Sequence, residues 1–149
     1  MAKSEKASAF FDGLDRPAIV AAIGRAEGKS FGEIRVHLHH GAVRDARAEA
    51  EKTFGKLGMS KTIRGTGCLV FIAPDSRAFA VIGGSGIHER VGDEFWAGAR
   101  DAARDLFKEG KFTEGIVAAV DLIGAALARH FPKDGAADTN ELPDEVSED

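Results

Sequence analysis

Cys68-Leu69-Val70-Phe71-Ile72-Ala73-Pro74-Asp75-Ser76-Arg77-Ala78-Phe79-Ala80-Val81-Ile82 is the stretch on which the fold turns. Six apolar residues in a row, too few for a helix, describe a strand covered on both faces. Pro74-Asp75-Ser76-Arg77 reads as a tight turn, so Ala78–Ile82 returns as an antiparallel strand. Upstream, Glu33-Ile34-Arg35-Val36-His37-Leu38-His39 alternates strictly, which predicts a strand with one face less buried than the other. A helix is predicted between them from about Arg44 to Lys56, with Ala46, Ala50, Phe54 and Leu57 inward and Gly58 as its stop. A strand–helix–strand connection of this length makes the first two strands parallel, with a right-handed crossover.

Further out, Asp15 caps a helix whose first turn contains Pro17 and whose inner stripe is Ile19, Ile23 and Ala26. Past the third strand, Phe95, Ala99, Ala102 and Leu106 share one helical face, with Asp93 as the candidate cap. Ile116, Val120, Ile123 and Leu127 share another, with Thr113 as the candidate cap. The order α-β-α-β-β-α-α predicts an α/β fold. It is a three-layer α/β/α sandwich whose small mixed sheet has three strands, with room for a fourth, flanked by about four helices.

The 149 residues suit one domain and 44% of them are hydrophobic. Cys68 is the only cysteine, which excludes an internal disulfide, a CxxC redox pair and a cysteine-rich zinc site. Within its apolar run it reads as an inert buried thiol. The N-terminus has no apolar signal-peptide core, and no apolar run approaches the roughly 20 residues that span a bilayer. The expectation is a cytoplasmic protein without membrane insertion. From Lys133 onward there are one lysine and seven acids, leaving 19 basic and 17 acidic residues in 1–132. The body is near neutral and the tail is acidic. The expected organisation is an N-terminal extension (1–14), the domain (15–132) and a disordered acidic tail (133–149).

Several pieces, in order, resemble the TPM-domain family, which is named for thylakoid, photosystem-repair and receptor-modulating members. They are Gly32-Glu33-Ile34-Arg35-Val36, Phe54-Gly55-Lys56-Leu57-Gly58-Met59, Gly65-Thr66-Gly67-Cys68-Leu69-Val70-Phe71-Ile72, Phe79-Ala80-Val81-Ile82-Gly83-Gly84-Ser85-Gly86-Ile87-His88 and Val91-Gly92-Asp93. The resemblance covers about residues 15–131 and implies a three-layer α/β/α domain. It also implies either calcium binding or acid-phosphatase activity, both reported for some members. The chain has Thr66-Gly67 where many members have Asn-Gly, and Ile87-His88 where they have Leu-Glu. It looks like a soluble, single-domain branch.

The strand order brings the end of the third strand to the sheet edge where the first begins. Gly83–Asp93 should therefore face Glu33 and the Gly58–Thr66 connection, and this edge is the candidate site. Gly83, Gly84, Ser85, Gly86 and His88 form its ligand loop. Glu33, Glu89 and Asp93 are candidate ligands for calcium or another divalent cation, since hard cations take several oxygens. Lys61, Arg64 and Thr66, beside a helix start, are the alternative anion set. His37 and His39 share a strand face and could bind a metal, although a strand with a polar face explains them more simply.

Sharper motifs fail. Gly24–Ser30 is one residue short of a P-loop and ends a helix instead of opening one. The glycine-rich loop misses GxGxxG at Glu89 and GxSxG at Ile87; Ser85 and His88 lack a third group, so no catalytic residue is assigned. No basic patch interleaved with aromatics suggests nucleic acid. The leading function is a non-catalytic binding or accessory domain that contacts another protein and is gated by a divalent ion. The alternative is a metal-assisted phosphoester hydrolase.

Overall fold

The computed structural model describes residues 5–62, 64–133 and 146–149. Its elements are α1 (Glu5–Asp12), α2 (Arg16–Glu27), β1 (Glu33–Leu38), α3 (Ala46–Lys56), β2 (Gly67–Ala73), β3 (Ala78–Gly83), α4 (Ser85–Lys108), α5 (Phe112–His130) and β4 (Val146–Glu148). The sheet order is β3-β2-β1-β4. As the connection lengths require, β1 and β2 are parallel, with Glu33 opposite Gly67, and β2 and β3 are antiparallel, with Cys68 opposite Gly83.

Alternation of side chains along the strands builds two cores. Ile34, Val36, Leu38, Cys68, Val70, Ile72, Phe79 and Val81 meet the apolar faces of α1, α2, α4 and α5. Leu69, Phe71, Ala73 and Ala80 turn the other way, onto Ala50 of α3 and Met59. The molecule is thus a three-layer α/β/α sandwich with five helices and a four-stranded mixed sheet. Among the described residues no helix is long and apolar enough to cross a membrane.

Capping chemistry sets two of the helix starts. Asp15 accepts a hydrogen bond from the Ala18 N–H at 3.0 Å ahead of Pro17, and Asp45 does the same for Ala48 at 3.1 Å. Thr113 does not cap α5, which begins one residue earlier. Its hydroxyl accepts from the Asp15 N–H instead and ties α5 to the start of α2.

Both ends of the chain depart from the expected organisation. The N-terminal extension contains α1, whose Ala7 and Phe11 are buried in the larger core. Its eight residues carry too few apolar positions to show a helical period. The tail expected to be disordered supplies β4, parallel to β1 with Val146 opposite Val36, Ser147 opposite His37 and Leu38 opposite Glu148. Most of the tail, 134–145, lies outside the described residues. Its acidic composition signals solvation, whereas the last residues find partners in cationic and imidazole groups far away in sequence. The expected Gly83–Asp93 loop is largely helical too. Ser85 opens α4, and a kink at Gly92 (φ 75°, ψ 176°) separates a short first segment from the long helix that starts at Asp93.

Candidate functional site

The edge chosen from the sequence is assembled, and its segments are joined by backbone hydrogen bonds. The Glu33 N–H donates to Thr66 O, Gly84 N–H to Gly67 O and Ile87 N–H to Gly65 O, so the three segments do lie side by side. Two of the loop glycines admit close approach of protein backbone. A Cβ on Gly86 would stand 1.9 Å from the Arg64 carbonyl oxygen, and one on Gly84 would stand 2.7 Å from that of Gly65. Two members of the anion set have partners within the protein. Thr66 donates its hydroxyl to Phe31 O at 3.2 Å, the Arg64 guanidinium lies 3.9 Å over the Phe31 ring, and Lys61 is exposed. Glu33 is buried at the foot of β1 while Glu89 and Asp93 are exposed on α4. These three carboxylates do not form a cluster of facing ligand atoms.

Gly83, Ser85, His88 and Asp93 instead line a groove of about 710 Å³ between α3 and α4, together with Trp96 and Arg104. A serine nucleophile here would need an imidazole nitrogen free to take its proton. His88 accepts from the Trp96 indole N–H at Nδ1 (3.0 Å) and faces Asp93 Oδ1 with Nε2 (3.6 Å). The ring is held between Trp96 and Asp93 and is not offered to Ser85. Cys68 is fully buried, and burial pushes its thiol pKa strongly upward, so no thiolate nucleophile exists there.

At the opposite edge the side chains converge. Even residues of β1 point into the larger core, and the odd face carries Glu33, Arg35, His37 and, just past the strand, His39. The alternation predicted a half-exposed face, yet all four are buried. An imidazole has an apolar body as well as polar nitrogens: the His37 and His39 rings pack against Phe71 at centroid distances of 6.0 and 5.3 Å. Their nitrogens turn to the tail. His37 Nε2 lies 3.0 Å and His39 Nδ1 2.7 Å from the same oxygen, Asp149 Oδ2. Among the described residues this trio is the group of histidine, cysteine and carboxylate ligand atoms that lie within 4.8 Å of one another.

A second set of contacts fixes these groups. Asp149 Oδ1 accepts from the His40 backbone N–H at 3.0 Å, and His37 Nδ1 is 2.7 Å from Ser147 Oγ. Glu148 turns to the other face of the strand, where its two oxygens meet Arg16 Nη2 and His40 Nε2, each at 2.5 Å. Burial pushes the His37 pKa below its ordinary value despite Asp149 beside it. Burial would raise Asp149, but hydrogen bonds from His37, the His40 N–H and His39 outweigh it and leave the carboxyl pKa lowered. Glu148 is lowered too, first by the hydrogen bond from His40 and then by Arg16.

The donor set is two imidazole nitrogens and one carboxylate oxygen. A tetrahedral ion with bonds of about 2.0–2.1 Å holds its ligand atoms roughly 3.3 Å apart. The 3.0 and 2.7 Å separations would have to open by about 0.3 and 0.6 Å to reach that spacing, and the two imidazole nitrogens lie within 4.8 Å of each other. His37 can lose its Nε2 proton because Nδ1–H can donate to Ser147 Oγ, whose own hydroxyl can turn to Val36 O at 3.5 Å. The sequence signal was the His-x-His spacing on one strand face. Asp149 carried none, because its nearness depends on β4 pairing.

Comparison with known proteins agrees with the family resemblance read from the sequence and with the α/β fold. The family model for the TPM domain matches residues 6–126. The solution structure of BA42 protein from the psychrophilic bacterium Bizionia argentinensis is similar over 100% of both chains, with 36% identity and a TM-score of 0.82. No curated protein matches the chain. A family match over most of its length, with a full-length structural similarity beside it, makes this chain a member of the TPM-domain family.

Proposed function

We propose that this TPM domain is a non-catalytic binding domain that holds a divalent transition-metal ion, of which zinc is the representative, between His37, His39 and Asp149. The observation that carries the reading is the convergence of His37 Nε2 and His39 Nδ1 on one Asp149 oxygen, with Ser147 and the His40 N–H orienting the ligands. Imidazole nitrogens favour zinc, nickel or copper, whereas calcium takes six to eight oxygens. The reading therefore replaces calcium at Glu33, Glu89 and Asp93 with a nitrogen-rich site at the other end of the sheet. Burial keeps His37 in the neutral form that a metal needs. When bound, the ion would cross-link the tail to β1.

Calorimetric titration of the full chain with Zn²⁺ and, separately, Ca²⁺ tests the reading. Zinc should bind at one site, with affinity reduced at least tenfold by Asp149→Asn or His39→Ala, and calcium should bind far more weakly. Equal zinc affinity in wild type and both variants would refute it.

A further inference from the structure

We propose that the outer edge of β1, with Arg16, His37, His39 and His40, is a receptor for an extended, acid-ended segment of another polypeptide, and that the chain's own C-terminal strand is its displaceable occupant. A sheet edge offers a row of backbone donors and acceptors, which an added strand satisfies whatever its sequence. Specificity comes from pockets for alternate side chains. Both elements are present here. Val146–Glu148 pairs in parallel with Val36–Leu38, and the Asp149 N–H donates to Leu38 O at 3.2 Å.

Each side chain of the occupant has its own reader. Val146 packs against the larger core, and Ser147 meets His37 Nδ1. Glu148 spans Arg16 and His40, and Asp149 takes His37, His39 and the His40 N–H. The recognised chemistry is therefore apolar, hydroxyl, acid, acid along an extended backbone. The readers come from β1, the residues just after it and the first turn of α2; β1 is also paired with β2, and α2 also packs on α5. The occupant is three strand residues long and lies at the sheet edge. Ladders this short are among the first parts of a fold to open. A competing segment needs only to match the same readers. None of this requires an ion: hydrogen bonds and charge hold the carboxylates.

The test uses the full chain with chelator present, so that its outcome is separate from that of the metal reading. The probe is a synthetic peptide of residues 141–149, labelled at its N-terminus and followed by fluorescence anisotropy. Two full-length variants weaken the resident strand and leave the readers intact: Ser147→Pro, which removes a ladder donor, and the double change Glu148→Gln with Asp149→Asn. The peptide should bind each variant at least tenfold more tightly than wild type. A peptide carrying the same Gln and Asn replacements should lose at least tenfold. Equal binding to wild type and variants, or none to any, would overturn the proposal. So would sedimentation of wild type as a strand-exchanged dimer, because the receptor's partner would then be a second copy of this chain.

Discussion

Replacing Phe11 with alanine asks whether α1 belongs to the domain or merely precedes it. Phe11 is 2% exposed, meets Phe10 edge-on at 5.8 Å, and meets the His40 ring edge-on at 5.1 Å. A buried phenylalanine removes about 150–250 Å² from water. At roughly 25 cal/mol per Å² that is about 4–6 kcal/mol as an upper bound, part of which the remaining Cβ keeps. The expected loss is about 3–5 kcal/mol, in line with aromatic truncations in cores. For a chain of this size it corresponds to a fall in Tm of about 6–20 °C, since each kcal/mol is worth roughly 2–4 °C. Thermal unfolding followed by circular dichroism, with urea unfolding alongside, measures both quantities. A Tm shift of less than about 2 °C would refute the reasoning and return residues 1–14 to the status of an appended extension.

Gly86→Ala should destabilise by at least about 1–3 kcal/mol in urea unfolding, because its new methyl would meet the Arg64 carbonyl; Gly98→Ala, which has open space within a helix, should be neutral or stabilising. Equal effects would mean that the two backbones are not nested. Acidification should lower Tm in two steps. His37 stays neutral in the fold while the unfolded chain gains a proton, so stability falls as pH drops below about 6.5. The lowered carboxyls of Glu148 and Asp149 stabilise the fold above their ordinary values of 4.5 and 3.8, and that contribution is lost as pH falls through their folded values. A Tm that rose between pH 7 and pH 5 would contradict the sign of the His37 effect. Truncation after Lys133 should remove β4 and with it the carboxyl-dependent step; an unchanged profile would show that β4 does not carry it.

Patterns local in the chain were legible before the structure. The six-residue apolar run of β2, the turn at Pro74 and the crossover rule together gave the parallel β1–β2 and antiparallel β2–β3 relations and the juxtaposition of Gly83 with Glu33's end of the sheet. What failed was the step from juxtaposition to vacancy. Glycines that permit close approach do not say what approaches, and here it is the Arg64–Gly65 backbone. His37 and His39 were legible as a same-face pair, but their use was not. Asp149 stands 110 residues from His39 and reaches it only because β4 adds to the sheet. An acidic tail read by composition signals solvation. Residues 146–149 of that tail form a strand where buried imidazoles and Arg16 meet them, and a pairing of that range leaves no periodic trace in the sequence.

The most direct test of the central claim is a zinc titration followed by long-range ¹H–¹⁵N NMR of the imidazole side chains. The chain has five histidines, which makes each ring resolvable in principle by single substitutions. The account predicts that His37 Nε2 and His39 Nδ1 move to metal-bound nitrogen shifts together, saturating at one equivalent, while His88 and His130 stay unchanged and Asp149→Asn abolishes the response. Zinc-induced shifts centred on His88, or none at His37 and His39 at saturating zinc, would contradict it.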